Sequence, residues 1–248
     1  MTTSSRFCWY ELRTTDTASA QAFYTDVVGL QVRDAEGAAA FCLADRPVAT
    51  LMKLSERAAA QGAPAHWLGH LGVDDVDAAA QRVIALGGAQ LGPAQRTADG
   101  TPLVLLRDPG GAVLALRPRM DEASNAVIWH ELHTVDRERV WPMYAELCGW
   151  HVTDSLDLGS EAGTYQIFGW DEGDLGAGAM MNSARSPGIH PHWLFYFRVE
   201  DLDAAVAKVR TREGKVMFGP MPIPGGGRIA MCEDPQGAAF AMLEPMPG

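Results

Sequence analysis

The sequence has few cysteines, and they do not form the pairs that build zinc sites or redox centres. Its four cysteines are scattered, and no two of them are separated by only two residues. Scattered thiols of this kind are typical of small buried apolar side chains in a reducing compartment. We therefore expect a cytoplasmic protein whose fold depends on its hydrophobic core rather than on disulfide bonds.

The chain is also poor in positive charge and in long apolar runs. It has 20 lysines and arginines against 31 acidic residues, which gives a formal net charge of −11. An acidic surface opposes binding to nucleic acid and to anionic lipid, because cationic side chains supply most of that attraction. No apolar run approaches the roughly 20 residues that cross a bilayer, and the first residues lack the apolar core of a signal peptide. We therefore predict neither a nucleic-acid partner nor a membrane partner.

What the chain does contain is an internal repeat. The segment WYELRTTD at Trp9–Asp16 returns 120 positions later as WHELHTVD at Trp129–Asp136. A repeat of this period divides the 248 residues into two modules of ordinary domain size. We place these modules at residues 1–121 and 126–248, with a short polar stretch between them.

Each module consists in turn of two similar halves. The first half opens with a strand, continues with a helix that Asp16 caps and Gly29 ends, and is followed by β-rich segments. The second half opens with the HWL segment at His66 and closes with a DPGG hairpin at Asp108. Both motifs recur 126 positions later, as HWL and DPQG. The sequence therefore predicts an α+β fold of four tandem βαβββ units, two in each module.

These motifs, in this order, resemble the vicinal oxygen chelate superfamily, which includes glyoxalase I, extradiol dioxygenases and bleomycin-resistance proteins. The resemblance is carried by the WxEL opening, the DPxG hairpin that ends each module, and the pairs Phe23–Tyr24 and Gly29–Leu30. The WxEL opening looks most like the tandem-module actinobacterial members. The resemblance implies that paired units curl into two half-open barrel modules, each with a concave face. It does not identify a reaction, because one fold carries many chemistries.

In the metal-dependent relatives, His, Glu or Gln ligands lie on the first and last strands of the units. In this chain those places hold residues without such groups: Trp9, Leu68, Trp129 and Leu194 on first strands, and Ala115 and Ala241 on last strands. The other two last strands, residues 47–54 and 175–182, contain no Asp, Glu or His. A hard or borderline cation needs imidazole or oxygen ligands. We therefore expect no metal ion and no other cofactor.

Strand alternation places polar side chains beside the two tryptophans of the WxEL segments. Two triplets then share the concave face: Trp9, Glu11 and Arg13 in the first copy, and Trp129, Glu131 and His133 in the second. A carboxylate among aromatic rings can have a raised pKa and act as a general base. Glu11 and Glu131 can equally pair with an arginine or an amide in a structural role, and the tryptophans can be core residues rather than ligand contacts. The sequence leaves these alternatives open.

Three further residues are candidates for the concave face. His70, two places beyond Leu68, can act as acid or base, although a satisfied core histidine is the commoner role. Tyr196 and Arg198 follow Leu194 in the same alternation and are suited to anchoring an anionic or phenolic ligand. Alternatively, Arg198 neutralises Glu11 or Glu131 across the seam between the modules.

We reach two functional hypotheses. In the first, the protein binds an aromatic metabolite or antibiotic in a Trp-lined cup without a metal ion, as antibiotic-sequestering relatives do. In the second, it is a lyase, isomerase or dioxygenase-like enzyme on a small carbonyl or phenolic substrate. Glu11 or Glu131 is then the general base, and His70, His133 or Tyr196 assists it. Tandem fusion favours a monomer over a homodimer. The sequence does not determine which of the four units pair to form a cup.

Overall fold

The computed structural model describes residues 4–35, 38–60, 62–97, 99–120, 126–159 and 163–246. Its helices are α1 (Thr17–Val28), α2 (Glu56–Ala60), α3 (Val76–Ala85), α4 (Arg137–Cys148) and α5 (Leu202–Thr211), with a 3₁₀ turn at Ser183–Arg185. In the described part of the chain, no helix is long and apolar enough to cross a membrane. The stretch between the two predicted modules lies outside the described residues, so the module boundaries stay a prediction.

The first half of the chain forms one mixed sheet. Its strands are β1 (Phe7–Thr14), β2 (Gln31–Ala35), β3 (Ala38–Leu43), β4 (Arg46–Lys53), β5 (His66–Val73), β6 (Ala89–Gln90), β7 (Gln95–Arg96), β8 (Pro102–Arg107) and β9 (Val113–Pro118). The order is β2-β3-β4-β1-β5-β9-β8-β6, and β7 pairs with β8. The pairs β1/β4 and β5/β9 are parallel, which follows from the crossover that each helix makes.

The second half repeats this arrangement. Its strands are β10 (Val127–His133), β11 (His151–Asp157), β12 (Thr164–Gly169), β13 (Gly178–Met181), β14 (His192–Arg198), β15 (Lys215–Pro222), β16 (Arg228–Glu233) and β17 (Ala239–Glu244). The order is β11-β12-β13-β10-β14-β17-β16-β15, with β10/β13 and β14/β17 parallel. Neither sheet closes on itself. The predicted α+β fold of tandem βαβββ units is therefore confirmed.

The first helix of each half begins and ends where the sequence predicts. The Asp16 carboxylate accepts a hydrogen bond from the backbone N–H of Ser19 at 3.0 Å, and Asp136 caps α4 in the same way. Gly29 and Gly149 follow the two helices in the left-handed conformation, with φ of 75° and 73°. A side chain is disfavoured at such φ values, so the glycines end the helices without strain.

The chain divides into two compact units. The first unit contains Met1–Trp9, Leu68–Ala123 and Trp129–Trp193, and the second contains Tyr10–Trp67, Ser124–Ile128 and Leu194–Gly248. Each unit therefore combines segments from both halves of the chain. The second and third βαβββ repeats contribute most of the first unit, and the first and fourth repeats contribute most of the second.

A buried Trp–Tyr–Asp chain lies in the core of the first unit. The Trp193 indole N–H donates to the Tyr144 hydroxyl at 3.0 Å, and that hydroxyl donates to the Asp108 carboxylate at 3.0 Å. The other Asp108 oxygen accepts the backbone N–H groups of Gly110 and Ala112 in the DPGG turn. Burial raises the pKa of Asp108 to about 6 despite these hydrogen bonds.

The second unit contains the same chain, built from other copies of the motifs. The Trp67 indole N–H donates to the Tyr24 hydroxyl at 2.8 Å, and Tyr24 donates to Asp234 at 3.2 Å. Burial raises the pKa of Asp234, as it does in the first unit. The DPxG aspartates therefore act as buried hydrogen-bond acceptors that join repeats distant in sequence.

Candidate functional site

Strand β10 carries the second copy of the WxEL segment and presents its polar residues on one face. Glu131 and His133 are buried, with 2% and 7% of their surfaces exposed, and Trp129 is half-buried. Leu132 points to the opposite face and is fully buried in the core. The predicted alternation is therefore present, and it places an acid and an imidazole side by side.

The Glu131 carboxylate has two close polar neighbours. The Tyr165 hydroxyl donates a hydrogen bond to Oε2 at 2.7 Å, and Nε2 of His133 lies 2.9 Å from Oε1, an ion-pair distance without the angles of a hydrogen bond. Tyr165 belongs to β12, whereas His133 lies two residues beyond Glu131 on its own strand. A buried carboxylate needs such partners, because an uncompensated charge away from water is costly.

These contacts extend into a longer chain of side chains. The Trp129 indole N–H donates to the Tyr165 oxygen at 2.9 Å, and Nδ1 of His133 lies 2.5 Å from Oγ of Ser183. We call the connected residues Trp129, Tyr165, Glu131, His133 and Ser183 the Glu131 network. All five lie in the first compact unit.

The chemistry of its members determines which groups donate and which accept hydrogen bonds in the Glu131 network. An indole nitrogen can only donate, so the Tyr165 oxygen accepts from Trp129 and its own proton points to Glu131. Burial and the Glu131 charge raise the pKa of Tyr165, which keeps the hydroxyl protonated. With Glu131 ionised, we assign the imidazole proton to Nε2, the nitrogen that faces the carboxylate. The Nδ1 atom of His133 then accepts the Ser183 hydroxyl proton.

A second imidazole covers His133. The rings of His133 and His192 stack with centroids 4.6 Å apart and planes 5° apart. The Nδ1–H group of His192 donates to the carbonyl oxygen of His190 at 2.7 Å, which fixes its orientation. Burial, and secondarily the neighbouring His133, lower the pKa of His192 to about 4. His192 is therefore a neutral ring at physiological pH.

The first copy of the segment has a different polar pair. Glu11 is 4% exposed and accepts a hydrogen bond from Nε of Arg13, two residues further along β1. A guanidinium stays cationic, so it neutralises the carboxylate and cannot exchange a proton with it. The residue two positions beyond the register partner of Arg13 is Leu54, whereas the corresponding residue for His133 is Ser183. The two copies therefore differ in their capacity for proton transfer.

The two tryptophans of the WxEL segments also have different neighbours. The guanidinium of Arg117 lies 5.4 Å from the ring centroid of Trp9, at cation–π distance. Trp129 instead packs with its six-membered ring close to the backbone of Gly176, where a Cβ atom would stand 3.1 Å from the ring. The six-membered ring of Trp129 thus packs against the backbone at Gly176, and its indole nitrogen is hydrogen-bonded to Tyr165.

The other predicted site residues, His70, Tyr196 and Arg198, are not members of the Glu131 network. His70 is 1% exposed on β5, in register with Ala115 on β9. Tyr196 is 2% exposed on β14, in register with Ala241, and Arg198 is exposed at the end of that strand. Tyr196 and Arg198 belong to the second compact unit. Their proposed roles in binding stay predictions.

Tyr165, Ser183 and His192 are not among the site residues that we predict from the sequence. Tyr165 and Ser183 are 34 and 50 positions from the residues they contact, and neither lies in a motif. Ser183 reaches His133 because β13 pairs in parallel with β10, with His133 opposite Met181. This register, which is seen only in the structure, places Ser183 on the face of His133, since residues two places apart on a strand share a face.

The comparison with family models gives a match over both halves of the chain. The model of the Glyoxalase/Bleomycin resistance protein/Dioxygenase superfamily matches residues 6–116 and 131–242. The chain belongs to this superfamily. The superfamily resemblance inferred from the WxEL and DPxG motifs is therefore confirmed.

Two similar proteins match very different shares of this chain. The protein CFP32 of Mycobacterium tuberculosis (strain CDC 1551 / Oshkosh), named provisionally as a glyoxylase, is 31% identical over 252 residues. The match covers 96% of this chain and 94% of that protein. The anthracycline biosynthesis protein DnrV of Streptomyces peucetius is 34% identical over 132 residues, covering 48% of this chain and 47% of its own.

Solved structures of the superfamily share the fold at low sequence identity. The 2,3-dioxygenase LapB from Pseudomonas sp. KL28 aligns with a TM-score of 0.67 and 16% identity, covering 98% of this chain and 93% of its own. The Mn(II)-bound glyoxalase from Novosphingobium aromaticivorans aligns with a TM-score of 0.65 and 16% identity, covering 98% and 83%. At these identities the likeness concerns the fold alone.

The metal of the metal-dependent superfamily members does not fit the residues at the family's ligand places in the second half of this chain. In the second half, the places that the family assigns to ligands hold Trp129, Leu194 and Ala241. The indole nitrogen of Trp129 already donates its hydrogen to Tyr165, and the other two side chains are hydrocarbons. Within residues 4–246, leaving aside the gaps in the description, no three His, Cys, Asp or Glu side chains are grouped to hold a metal ion. We therefore derive no step through a metal.

Proposed function

We propose that the protein binds a small hydrophobic or aromatic molecule at its second WxEL segment without a metal ion. The observation that carries this proposal is Trp129, which occupies a family ligand place and links an indole ring to a buried polar chain. Small-molecule sites combine apolar, often aromatic surface with a few fixed polar groups. The similarity to a protein named for anthracycline biosynthesis supports a natural-product ligand.

Direct metal analysis and ligand titration test this proposal together. Purified protein should contain less than stoichiometric transition metal by mass spectrometry of the elements, and EDTA should leave ligand affinity unchanged. Titration with an anthracycline and with simple phenols should quench tryptophan fluorescence. Trp129→Phe should weaken binding by about tenfold, because it removes both ring area and the Nε1–H donor.

Trp141→Phe is the matched control for this experiment. Trp141 is a half-buried residue of α4 and lies outside the Glu131 network. Its substitution should leave the affinity unchanged. Stoichiometric zinc, iron, manganese or nickel whose removal abolishes binding would exclude the proposal, as would equal affinities in wild type and the Trp129 variant.

A second candidate function is favoured by the partners of Glu131. His133 can exchange a proton with this carboxylate, whereas Arg13 cannot exchange one with Glu11. In this alternative, Glu131 is the general base of a lyase, isomerase or dioxygenase-like enzyme, and His133 assists it. Its substrate is then a small carbonyl or phenolic compound.

The two glutamates supply a matched pair for testing the enzymatic alternative. Glu131→Gln should lower turnover by a factor of about 10²–10⁴, the usual contribution of a general base, while Glu11→Gln should change it little. Loss of deuterium from α-deuterated small ketones, followed by NMR, measures the base directly. Equal exchange rates in wild type and Glu131→Gln would reject this role.

A further inference from the structure

The Glu131 network ends at a hydroxyl group. Oγ of Ser183 lies 2.5 Å from Nδ1 of His133, at the start of the 3₁₀ turn Ser183–Arg185. Ser183 is half-buried, whereas Glu131 and His133 are buried. The network thus runs from a buried carboxylate, through an imidazole, to a hydroxyl nearer to the surface.

Ser183, His133 and Glu131 have the connectivity of a nucleophile, a base and an orienting acid. The Glu131 carboxylate lies 2.9 Å from Nε2 of His133, and its negative charge favours the imidazole proton on that nitrogen, so the lone pair of Nδ1 faces the Ser183 hydroxyl. Such triads are recognised by geometry and roles, and their order along the chain differs among unrelated folds. Here the imidazole uses its two nitrogens in the opposite sense from the serine proteases, with Nδ1 toward serine.

The surroundings of His133 support a transient positive charge on its ring. Glu131 lies beside Nε2 and is held from its other side by the protonated Tyr165 hydroxyl at 2.7 Å. His192, stacked on the ring, is neutral at physiological pH and adds no second cation. An imidazolium formed at His133 is therefore stabilised by the carboxylate and not opposed by its ring neighbour.

Backbone hydrogen bonds hold Ser183 in position. The N–H of Ala184 donates to the carbonyl oxygen of Thr134 at 3.2 Å, and the N–H of Ser186 donates to that of Ser183 at 3.0 Å. The first bond ties the turn to the residue that follows His133. A nucleophile held against its base by the chain itself loses little entropy on reaching the reactive geometry.

We propose that Ser183 is a nucleophile that attacks carboxylic esters or thioesters of small acids, with His133 as its base. Oγ of Ser183 forms a bond to the acyl carbon while Nδ1 of His133 takes the hydroxyl proton. The bond from the acyl carbon to the leaving oxygen or sulfur breaks, and the leaving group takes that proton. Water then attacks the acyl-serine, His133 accepts its proton and returns it to Ser183, and the free acid leaves. No electrons are exchanged with an outside reagent.

In this mechanism Glu131 and Tyr165 are positioning residues. Glu131 orients the imidazole and stabilises its charge, and Tyr165 orients Glu131. The proposal goes beyond ligand binding at Trp129, which does not need the Ser183 hydroxyl. The two ideas can therefore fail separately.

A fluorophosphonate probe and p-nitrophenyl butyrate test the nucleophile on the full-length protein. The wild type should gain one phosphonyl group by intact-mass measurement, and peptide mapping should place it on Ser183. It should also release a burst of p-nitrophenol near one equivalent. Ser183→Ala should lose the label and the burst, and Ser183→Cys should gain a thiol that iodoacetamide alkylates faster than the native cysteines.

Variants of the neighbours separate catalysis from structure. Ser186→Ala, in the same turn and exposed, should label like the wild type. Glu131→Gln should lower kcat for ester hydrolysis by about 10²-fold or more with little change in KM, because the substrate does not touch Glu131.

Several results would overturn the proposal. They are a folded wild type that takes up no label, a label at another residue, and hydrolysis that persists in Ser183→Ala. If Ser183→Ala does not fold, the mapped site on the wild type still decides. If a folded Ser183→Ala variant shows the same ligand-induced tryptophan quenching as the wild type, ligand binding does not depend on the Ser183 hydroxyl.

Discussion

The two copies of the WxEL segment place a buried glutamate at the same point of a strand but give it different partners. Glu11 is paired with Arg13, a permanent cation, whereas Glu131 accepts the Tyr165 hydroxyl and lies beside the imidazole of His133. Arginine in one copy and histidine in the other, two residues along the strand, thus give the two carboxylates a permanent cation and a proton-accepting ring as neighbours. Duplication thus preserved the fold in both halves while the polar chemistry diverged.

The largest effect is expected when the Glu–His pair of the second WxEL segment is replaced by the Glu–Arg pair of the first. In His133→Arg, the new guanidinium should still satisfy Glu131, so the fold should be retained, but it cannot accept a proton from Ser183. Labelling of Ser183 by a fluorophosphonate should slow by a factor of about 10²–10⁴. The measurement is the labelling rate, with circular dichroism as the check on folding.

The reciprocal variant, Arg13→His, sharpens the same comparison. The first copy has Leu54 two positions beyond the register partner of residue 13, so a new imidazole there has no counterpart of Ser183 to activate. Arg13→His should therefore create no second labelled serine and leave the Ser183 rate unchanged. Rapid labelling in His133→Arg would show that the imidazole is not the base.

The second prediction compares the buried aspartates of the two units through pH. Burial raises the pKa of Asp108 from 3.8 to about 6, so the folded state holds its proton more tightly than the unfolded state. The resulting stability is fully present below pH 4 and is lost as pH rises through about 6. Two pKa units correspond to about 3 kcal/mol. Asp108→Asn should remove this dependence, as measured by urea unfolding at pH 4, 5, 6 and 7.

Asp234→Asn is the matched variant in the second unit. The pKa of Asp234 is also raised by burial, so its replacement should change the pH dependence in the same direction. The decisive quantity is the difference in unfolding free energy between each variant and the wild type at each pH. If that difference does not vary between pH 4 and 7 for Asp108→Asn, the carboxyl titrates alike in the folded and unfolded states.

Much of the fold could be predicted from the sequence because its signals are local. Asp16 and Gly29 mark the ends of a helix by their own backbone preferences, and alternation along β10 places Glu131 and His133 on one face. The contacts that this pair makes with distant segments could not be predicted. Tyr165 reaches Glu131, and Ser183 reaches His133, through strand pairing between distant segments, and an isolated tyrosine or serine carries no motif.

The smallest effect is expected for the tyrosines that bridge the Trp–Tyr–Asp chains. Tyr144→Phe removes a hydroxyl that donates to Asp108 and accepts from Trp193, and Tyr24→Phe does the same in the second unit. Each variant should lose about 1–3 kcal/mol of unfolding free energy, because the buried partners lose a hydrogen bond without gaining water.

Comparison of the two tyrosine variants tests whether the units are equivalent in stability. Both hydroxyls are fully buried and both make two hydrogen bonds, so the two losses should agree within about 1 kcal/mol. Urea unfolding at pH 7 gives both values, and unfolding followed by near-UV circular dichroism reports the aromatic environment. A large loss for one tyrosine only would mean that one unit governs the stability of the chain. Because the Glu131 network lies in the unit of Tyr144, that variant should also be the one that affects Ser183 labelling if either does.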